Sequence, residues 1–167
     1  PLKKITTWPR TWHVELAGCD ADIEELDLKE LSNCPLFRDS EAAYGFSLRR
    51  FTRLKKLVLE GNVTLDADIW SYILTSCSAT TEELSFSGCF DDHSYGDSND
   101  YKVQTIAGAL PRFTGLKKVN LEGNRRLTAD AWSQVLASCS PRMEELSLKC
   151  FCLITDDARV EVPGLTI

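Results

Sequence analysis

The sequence predicts an α/β repeat solenoid: a parallel inner sheet of about six short strands with helices on the outside. Three observations carry this. Leu54–Asn62, L-K-K-L-V-L-E-G-N, recurs as Leu116–Asn124, L-K-K-V-N-L-E-G-N. Thr81–Phe86, T-E-E-L-S-F, recurs as Met143–Leu148, M-E-E-L-S-L, and as Ile23–Leu28, I-E-E-L-D-L. Between these runs, Trp, Leu and Cys recur at i, i+4 and i+7, in Trp12–Cys19, Trp70–Cys77 and Trp132–Cys139. The strand runs keep apolar residues at positions 1, 4 and 6, so the last two obey a period of two and bury one face. The Trp–Leu–Cys spacing marks one face of a helix. A strand that cannot hide its apolar face alone implies stacked neighbours that hide it together.

In chain order, Leu2–Ile5, L-K-K-I, is a weaker first strand, Trp8-Pro9 a turn and Arg10–Gly18 a helix. Ile23–Leu28 is the second strand, Leu31–Asp39 is irregular with Cys34-Pro35 in a turn, and Glu41–Leu48 is a helix. Leu54–Leu59, Thr81–Phe86, Leu116–Leu121 and Met143–Leu148 are the remaining strands. The helices at Trp70 and Trp132 are preceded by Asp66 and Thr128, whose side chains can accept first-turn amides. Val103–Leu110 is a helix stopped by Pro111, which cannot donate to the helical ladder. A last helical start near Asp156–Val160 is broken by Pro163-Gly164. The strand registers begin at 2, 23, 54, 81, 116 and 143, with spacings of 21, 31, 27, 35 and 27. The last four alternate long and short, so the unit is a pair: a Lys-Lys strand followed by a Glu-Glu strand.

The strand runs resemble the leucine-rich repeat motif L-x-x-L-x-L-x-x-N. The long alternating units with a true helix resemble the ribonuclease-inhibitor-like superfamily. N-R-R-L-T-A-D-A at Asn124–Ala131 and L-I-T-D-D-A at Leu153–Ala158 resemble the cysteine-containing repeats of F-box proteins. That variant places Cys at position 9; here Cys89 stands there, with Asn62, Asn124 and Phe151 at the equivalent positions. The resemblance implies a short curved horseshoe, a single domain over residues 1–167 and a role in binding other proteins. The domain is expected to be a fragment of a longer array or a subunit whose ends are covered. The alternative that the resemblance implies is the substrate-receptor half of a ubiquitin-ligase adaptor, or a GTPase-activating regulator with Arg10, Arg38, Arg49 and Arg112 as its surface arginines. The strongly acidic concave face of ribonuclease inhibitors is not matched by a row that alternates in sign.

The formal net charge of −6 argues against a nucleic-acid backbone and an anionic membrane as partners. No run approaches 18 apolar residues, so no membrane span is expected. The seven cysteines are odd in number, and Cys19, Cys77 and Cys139 share one repeat position, which reads as buried thiols in a reducing compartment, cytoplasmic or nuclear. Asn62 and Asn124 read as turn residues that satisfy backbone groups. Trp12, Trp70 and Trp132 read as core, each with an indole N–H that needs a partner.

No cofactor and no metal are expected. Cys150-x-Cys152 has no third and fourth ligand nearby, and the acidic run D-D-H-S-Y-G-D-S-N-D does not follow the calcium-loop order. No nucleophile, base and orienting group recur together, so the chain is not read as an enzyme. That run, Asp91–Asp100, has no counterpart in the 27-residue units and is read as an inserted acidic surface loop. Alternation places positions 3, 5 and 7 of each strand on the open face. Position 3 reads Lys4, Glu25, Lys56, Glu83, Lys118, Glu145, a self-neutralised row. The partner surface is therefore assigned to Val58, Glu60, Ser85, Asn120 and Glu122 on the sheet, joined by Asp91, Asp92, His93, Tyr95, Asp97 and Asp100 on the loop. Its partners are one or more proteins, within a larger complex.

Overall fold

The computed structural model describes residues 16, 18–29, 48–90, 98–125 and 127–148. They form an α/β fold in which a five-stranded parallel sheet is flanked by helices. The strands are β1 (Glu25–Asp27), β2 (Lys56–Val58), β3 (Glu83–Ser85), β4 (Lys118–Asn120) and β5 (Glu145–Ser147), in the spatial order of the sequence. Three helices connect them: α1 (Ala67–Ser76), α2 (Ser98–Ala109) and α3 (Ala129–Ser138). Each pairs with its neighbour in a single layer behind the sheet. Every strand is three residues long, shorter than the apolar run around it, although the position-6 amide just beyond it still donates to the next strand, as Leu59 does to Ser85.

The register is the one the repeats dictate. Glu25, Lys56, Glu83, Lys118 and Glu145 are aligned across the sheet, as are Leu26, Leu57, Leu84, Val119 and Leu146. A one-residue slip would turn each leucine to the open face, so burial fixes this register. Position 4 (Leu26, Leu57, Leu84, Val119) and position 6 (Leu28, Leu59, Phe86, Leu121) are almost wholly buried against the helices. Trp70 is the largest side chain of that layer; it meets Phe86 edge-on at 5.8 Å and Phe90 at 6.3 Å. Its indole Nε1 has no hydrogen-bond partner, against the expectation for a buried indole. Trp132 is also core, while Trp12 lies outside the described residues.

Position 9 carries a second ladder. Asn62 Nδ2 donates to the carbonyls of Leu59 in its own unit and Leu28 in the preceding one, at 2.7 and 2.9 Å. Asn124 Nδ2 does the same with Leu121 and Phe86, both at 2.9 Å, and its Oδ1 accepts the amide of Phe90. Cys89 replaces Asn in the unit between them, and its thiol donates to the Leu59 carbonyl at 2.9 Å. With one donor instead of two, it leaves its own unit's carbonyl, Phe86, to the Cys89 amide. The preceding residue is glycine in all three, Gly61, Gly88 and Gly123, each with a positive φ of 62–76°. That left-handed turn aims the position-9 side chain back under the sheet, and a residue with a Cβ adopts it at a cost of about 1–2 kcal/mol.

The expected caps are in place: Asp66 accepts the Ile69 amide and Thr128 the Ala131 amide. A device not expected from the sequence closes the other helix ends. Arg112 donates to the Leu74 carbonyl near the end of α1 and lies over the Phe113 ring. Arg50 does the same one pair earlier, donating to Cys19 and Leu16 while lying over Phe51. Both sit in short 3₁₀ turns, Leu48–Arg50 and Leu110–Arg112, so Pro111 belongs to such a turn just past the end of α2. Lys102 on α2 is buried, its ammonium donating to the Val63 carbonyl at 2.6 Å.

Several expectations fall elsewhere. The strand at Leu2–Ile5, most of the first helix, the helix at Glu41–Leu48 up to its last residue, Cys34, Cys150, Cys152 and the start near Asp156 lie outside the described residues. Leu48 itself opens a 3₁₀ turn, and Gly18 is in a turn rather than a helix. Ser98–Asp100, read as the end of a loop, are the first turn of α2. That helix has so few apolar residues in its first turn that no periodic signal marks its start.

Cys77 and Cys89 are buried, whereas Cys19 and Cys139 are half-buried. Burial pushes the Cys77 and Cys89 thiols up to about 12 and that of Cys139 to about 11. Because the thiolate is the reactive form, Cys77 and Cys89 are expected to resist iodoacetamide at pH 8 in the folded protein and to react fully in denaturant. Mass spectrometry of the alkylated cysteines checks this; rapid labelling of Cys77 in native buffer would show that its helix opens.

Candidate functional site

The open face is built from positions 3, 5 and 7. A shallow concavity there is lined by Val58, Glu60, Ser85, Asn120 and Glu122, so the five sheet residues singled out from the sequence do meet on one surface. Lys56, Glu83, Lys118, Glu145 and Ser147 complete its polar wall. A second hollow beside it brings in Glu25, Asp27 and Lys29. Position 5 is the floor. Asp27 and Ser85 are buried in it despite facing outward, because the longer side chains at positions 3 and 7 stand over them.

The polar groups are bound to one another across strands. Glu60 accepts from Ser85 Oγ at 3.0 Å and pairs with the Lys29 ammonium at 2.7 Å, spanning β1 to β3. That bond raises the Lys29 pKa above its ordinary value. Glu122 repeats the contact one pair later by accepting from Ser147 Oγ. Asn120 Oδ1 accepts the Glu122 amide, and Asp27 Oδ1 accepts that of Lys29, so each of these position-5 side chains fixes its own strand's exit. These bonds tie neighbouring strands and strand exits together on the open face.

The position-3 row is more specific than simple alternation. Lys56 pairs with Glu83 and Lys118 with Glu145, each at 3.1 Å, so each lysine commits to the following strand. A second row, at position 2, was not anticipated. There Lys55 pairs with Glu24 at 3.1 Å and Lys117 with Glu82 at 2.8 Å, each reaching the preceding strand. The two rows run in opposite phase, and together they place one ion pair across every junction from β1 to β5. The doublets K-K and E-E were the signal: one member of each faces backward and one forward.

Hydrogen bonding to Lys55 holds the Glu24 carboxyl below its ordinary value of 4.5, and Lys117 does the same for Glu82. Whatever stability these carboxylates supply is complete above that ordinary value and is lost as pH falls through the lowered one. The pairs are exposed, so the effect is expected to be small and to shrink with salt. Replacing Lys55 with Met is expected to move the Glu24 pKa part of the way back up, Arg53 still lying 3.3 Å from it, while Lys117 keeps Glu82 low. A carboxyl-detected NMR titration reads both, and an unmoved Glu24 would mean the pair does not form in solution.

Four glutamates and two lysines line the main concavity, an excess of two acids over bases. The position-3 row is neutralised as expected; Glu60 and Glu122 at position 7 add the other two acids, and Glu60 is paired with Lys29 of the neighbouring hollow. Asp100 does not join this surface. It lies in the first turn of α2, where its carboxylate accepts from the Thr128 hydroxyl at 3.4 Å on the helix side. Asp91, Asp92, His93, Tyr95 and Asp97 lie outside the described residues. Tyr101 is the exposed large hydrophobic residue among the described ones, on α2. Among the described residues no cluster of His, Cys, Asp or Glu could hold a metal ion, and no helix is long and apolar enough to cross a membrane.

No family model matches the chain, and no curated protein matches it. Among solved structures, the chain is similar to the leucine-rich repeat-containing protein LegL7 from Legionella pneumophila, at 17% identity and a TM-score of 0.42. The match covers 89% of this chain and 54% of that one, so the chain spans about half the length of that protein.

Proposed function

We propose that this chain is a leucine-rich repeat module, a short horseshoe that binds another protein without catalysis and holds a basic stretch of that protein against the open face of its sheet. The observation that carries the reading is the pre-bonded open face around Glu60 and Glu122, where the two adjoining hollows are lined by six acids and three lysines, Lys29 being paired with Glu60. Side chains already bonded to one another lose less conformational freedom on binding, and the charge of the face selects partners and speeds encounter. The segment holding Asp91, Asp92, His93, Tyr95 and Asp97 is the proposed rim of the surface, adding further acidic groups. The buried thiols suit a cytoplasmic or nuclear setting. The GTPase reading loses one of its arginines, since Arg112 is engaged in closing a helix end.

Selection of binders from a displayed random-peptide library tests the proposal. Enriched peptides are expected to carry Lys or Arg, to bind more weakly as salt rises, and to cross-link to the β2–β4 face. The double change Glu60→Lys with Glu122→Lys is expected to reverse the charge preference while circular dichroism stays unchanged. Enrichment of acidic or uncharged peptides, or cross-links confined to the helices, would overturn it.

A further inference from the structure

We infer, on the basis of that open-face reading, that the basic group this face takes from its partner is an arginine, seated over Val58 with its guanidinium on the Glu60 carboxylate. Lys56, Val58 and Glu60 stand in line along β2 and its exit, and all three line both hollows of the open face, so Glu60 sits where the two meet. Val58 is a half-buried apolar residue on the floor between them. The Lys56 ammonium is committed to Glu83 on β3 at 3.1 Å.

Both oxygens of Glu60 are already in use. Oε1 accepts the Ser85 hydroxyl at 3.0 Å, and Oε2 holds the Lys29 ammonium at 2.7 Å. An incoming lysine therefore exchanges one ammonium–carboxylate bond for another and gains none. An arginine differs in geometry. Its planar fork sets two parallel N–H groups against the two carboxylate oxygens, and a carboxylate has acceptor sites enough for the Ser85 bond to persist beside them. The flat guanidinium is also more weakly hydrated than an ammonium, so it packs on an aliphatic floor at less cost. Lys29 can yield its place. Its side chain is 46% exposed, and Asp27 in the same hollow adds to the rise in its pKa, so the ammonium keeps a carboxylate beside it after leaving Glu60. Ser87 stands in the place before Glu122 that Lys29 holds before Glu60, so the exchange belongs to the Glu60 end of the face.

The probes are three fluorescein-labelled peptides: hexa-arginine, hexa-lysine and the hexamer of asymmetric dimethylarginine. In fluorescence anisotropy with the intact chain, hexa-arginine is expected to bind about five- to tenfold more tightly than hexa-lysine at the same salt, the gain of a two-bond contact over a single one. The methylated peptide keeps its charge but loses the fork, so its affinity is expected to fall within about twofold of that of hexa-lysine. Glu60→Gln is expected to bring hexa-arginine and hexa-lysine to equal affinity while circular dichroism stays unchanged. Lys29→Met is expected to tighten both peptides, and by more than Lys55→Met, which removes the same charge outside both hollows. A preference for arginine that survives Glu60→Gln, or a methylated peptide bound as tightly as hexa-arginine, would overturn the assignment. So would Lys29→Met binding no more tightly than Lys55→Met, which would mean that Lys29 does not compete for the site. Equal binding of hexa-arginine and hexa-lysine to the unaltered chain would remove the arginine and leave the open-face reading standing; binding of neither would remove both.

Discussion

An Asn124→Ala protein is expected to lose about 3–5 kcal/mol of folding stability in urea titrations. The side chain is buried and serves three backbone groups: the carbonyls of Phe86 and Leu121 and the amide of Phe90. Alanine strands the Leu121 carbonyl and the Phe90 amide and leaves the Phe86 carbonyl to the Cys89 amide alone, and each buried group stranded in this way costs about 1–3 kcal/mol, less whatever entering water restores. The damage is also shared between two units, because the bonds cross from the turn after β4 to the turn after β3. Asn124→Asp keeps the size but loses both donors and faces two carbonyls with a carboxylate, so it is expected to be at least as destabilising at neutral pH. A loss below about 1 kcal/mol for both variants would show that the position-9 ladder does not hold the units together.

Trp70→Ala is expected to cost about 3–5 kcal/mol, the range for removing a large buried aromatic side chain. Trp70 fills the space between α1 and the sheet and contacts Phe86 and Phe90 of the next unit, so its removal opens a cavity at a junction rather than inside one unit. Trp70→Phe separates size from polarity. It gives up part of the packing but also removes an indole N–H that has no acceptor. Its cost is therefore expected to be well under half that of alanine. Thermal unfolding of the two variants side by side makes the comparison; equal losses would mean that the N–H is satisfied in solution and contributes to stability.

The strand register was legible because two independent signals agreed on it. The leucines at positions 4 and 6 required one face, and the Lys-Lys and Glu-Glu doublets required opposite charges to lie side by side. The caps at Asp66 and Thr128 and the local half of the position-9 role, the bonds three residues back, followed from chemistry that acts within a few residues; the bonds that join Asn62 to Leu28 and Asn124 to Phe86 did not. Long-range side-chain choices were harder. Nothing local tells Arg112 to reach back 38 residues to Leu74, although its recurrence with Arg50 before an F-T pair was a usable sign. Lys102 is buried without any repeat partner to announce it. The first turn of α2 was hidden in a polar run because its exposed residues carry no apolar period. The five sheet residues of the candidate surface came together because alternation is strict; the acidic surplus at Glu60 and Glu122 emerged only when position 7 was weighed with position 3.

The opposed phases of the two charge rows limit how such a chain can change length. Deleting the single unit of β3 with its helix would set Lys56 directly against Lys118 and Lys55 against Lys117. Duplicating one unit would likewise abut Glu-Glu with Glu-Glu, or Lys-Lys with Lys-Lys. Removing or inserting two units together restores every opposite-charge neighbour. The gene for this array is thus expected to tolerate gain and loss in even steps, and designed variants should be lengthened in the same increments. Odd-numbered intermediates would fold with two like-charged strands side by side and would gain a little stability from added salt.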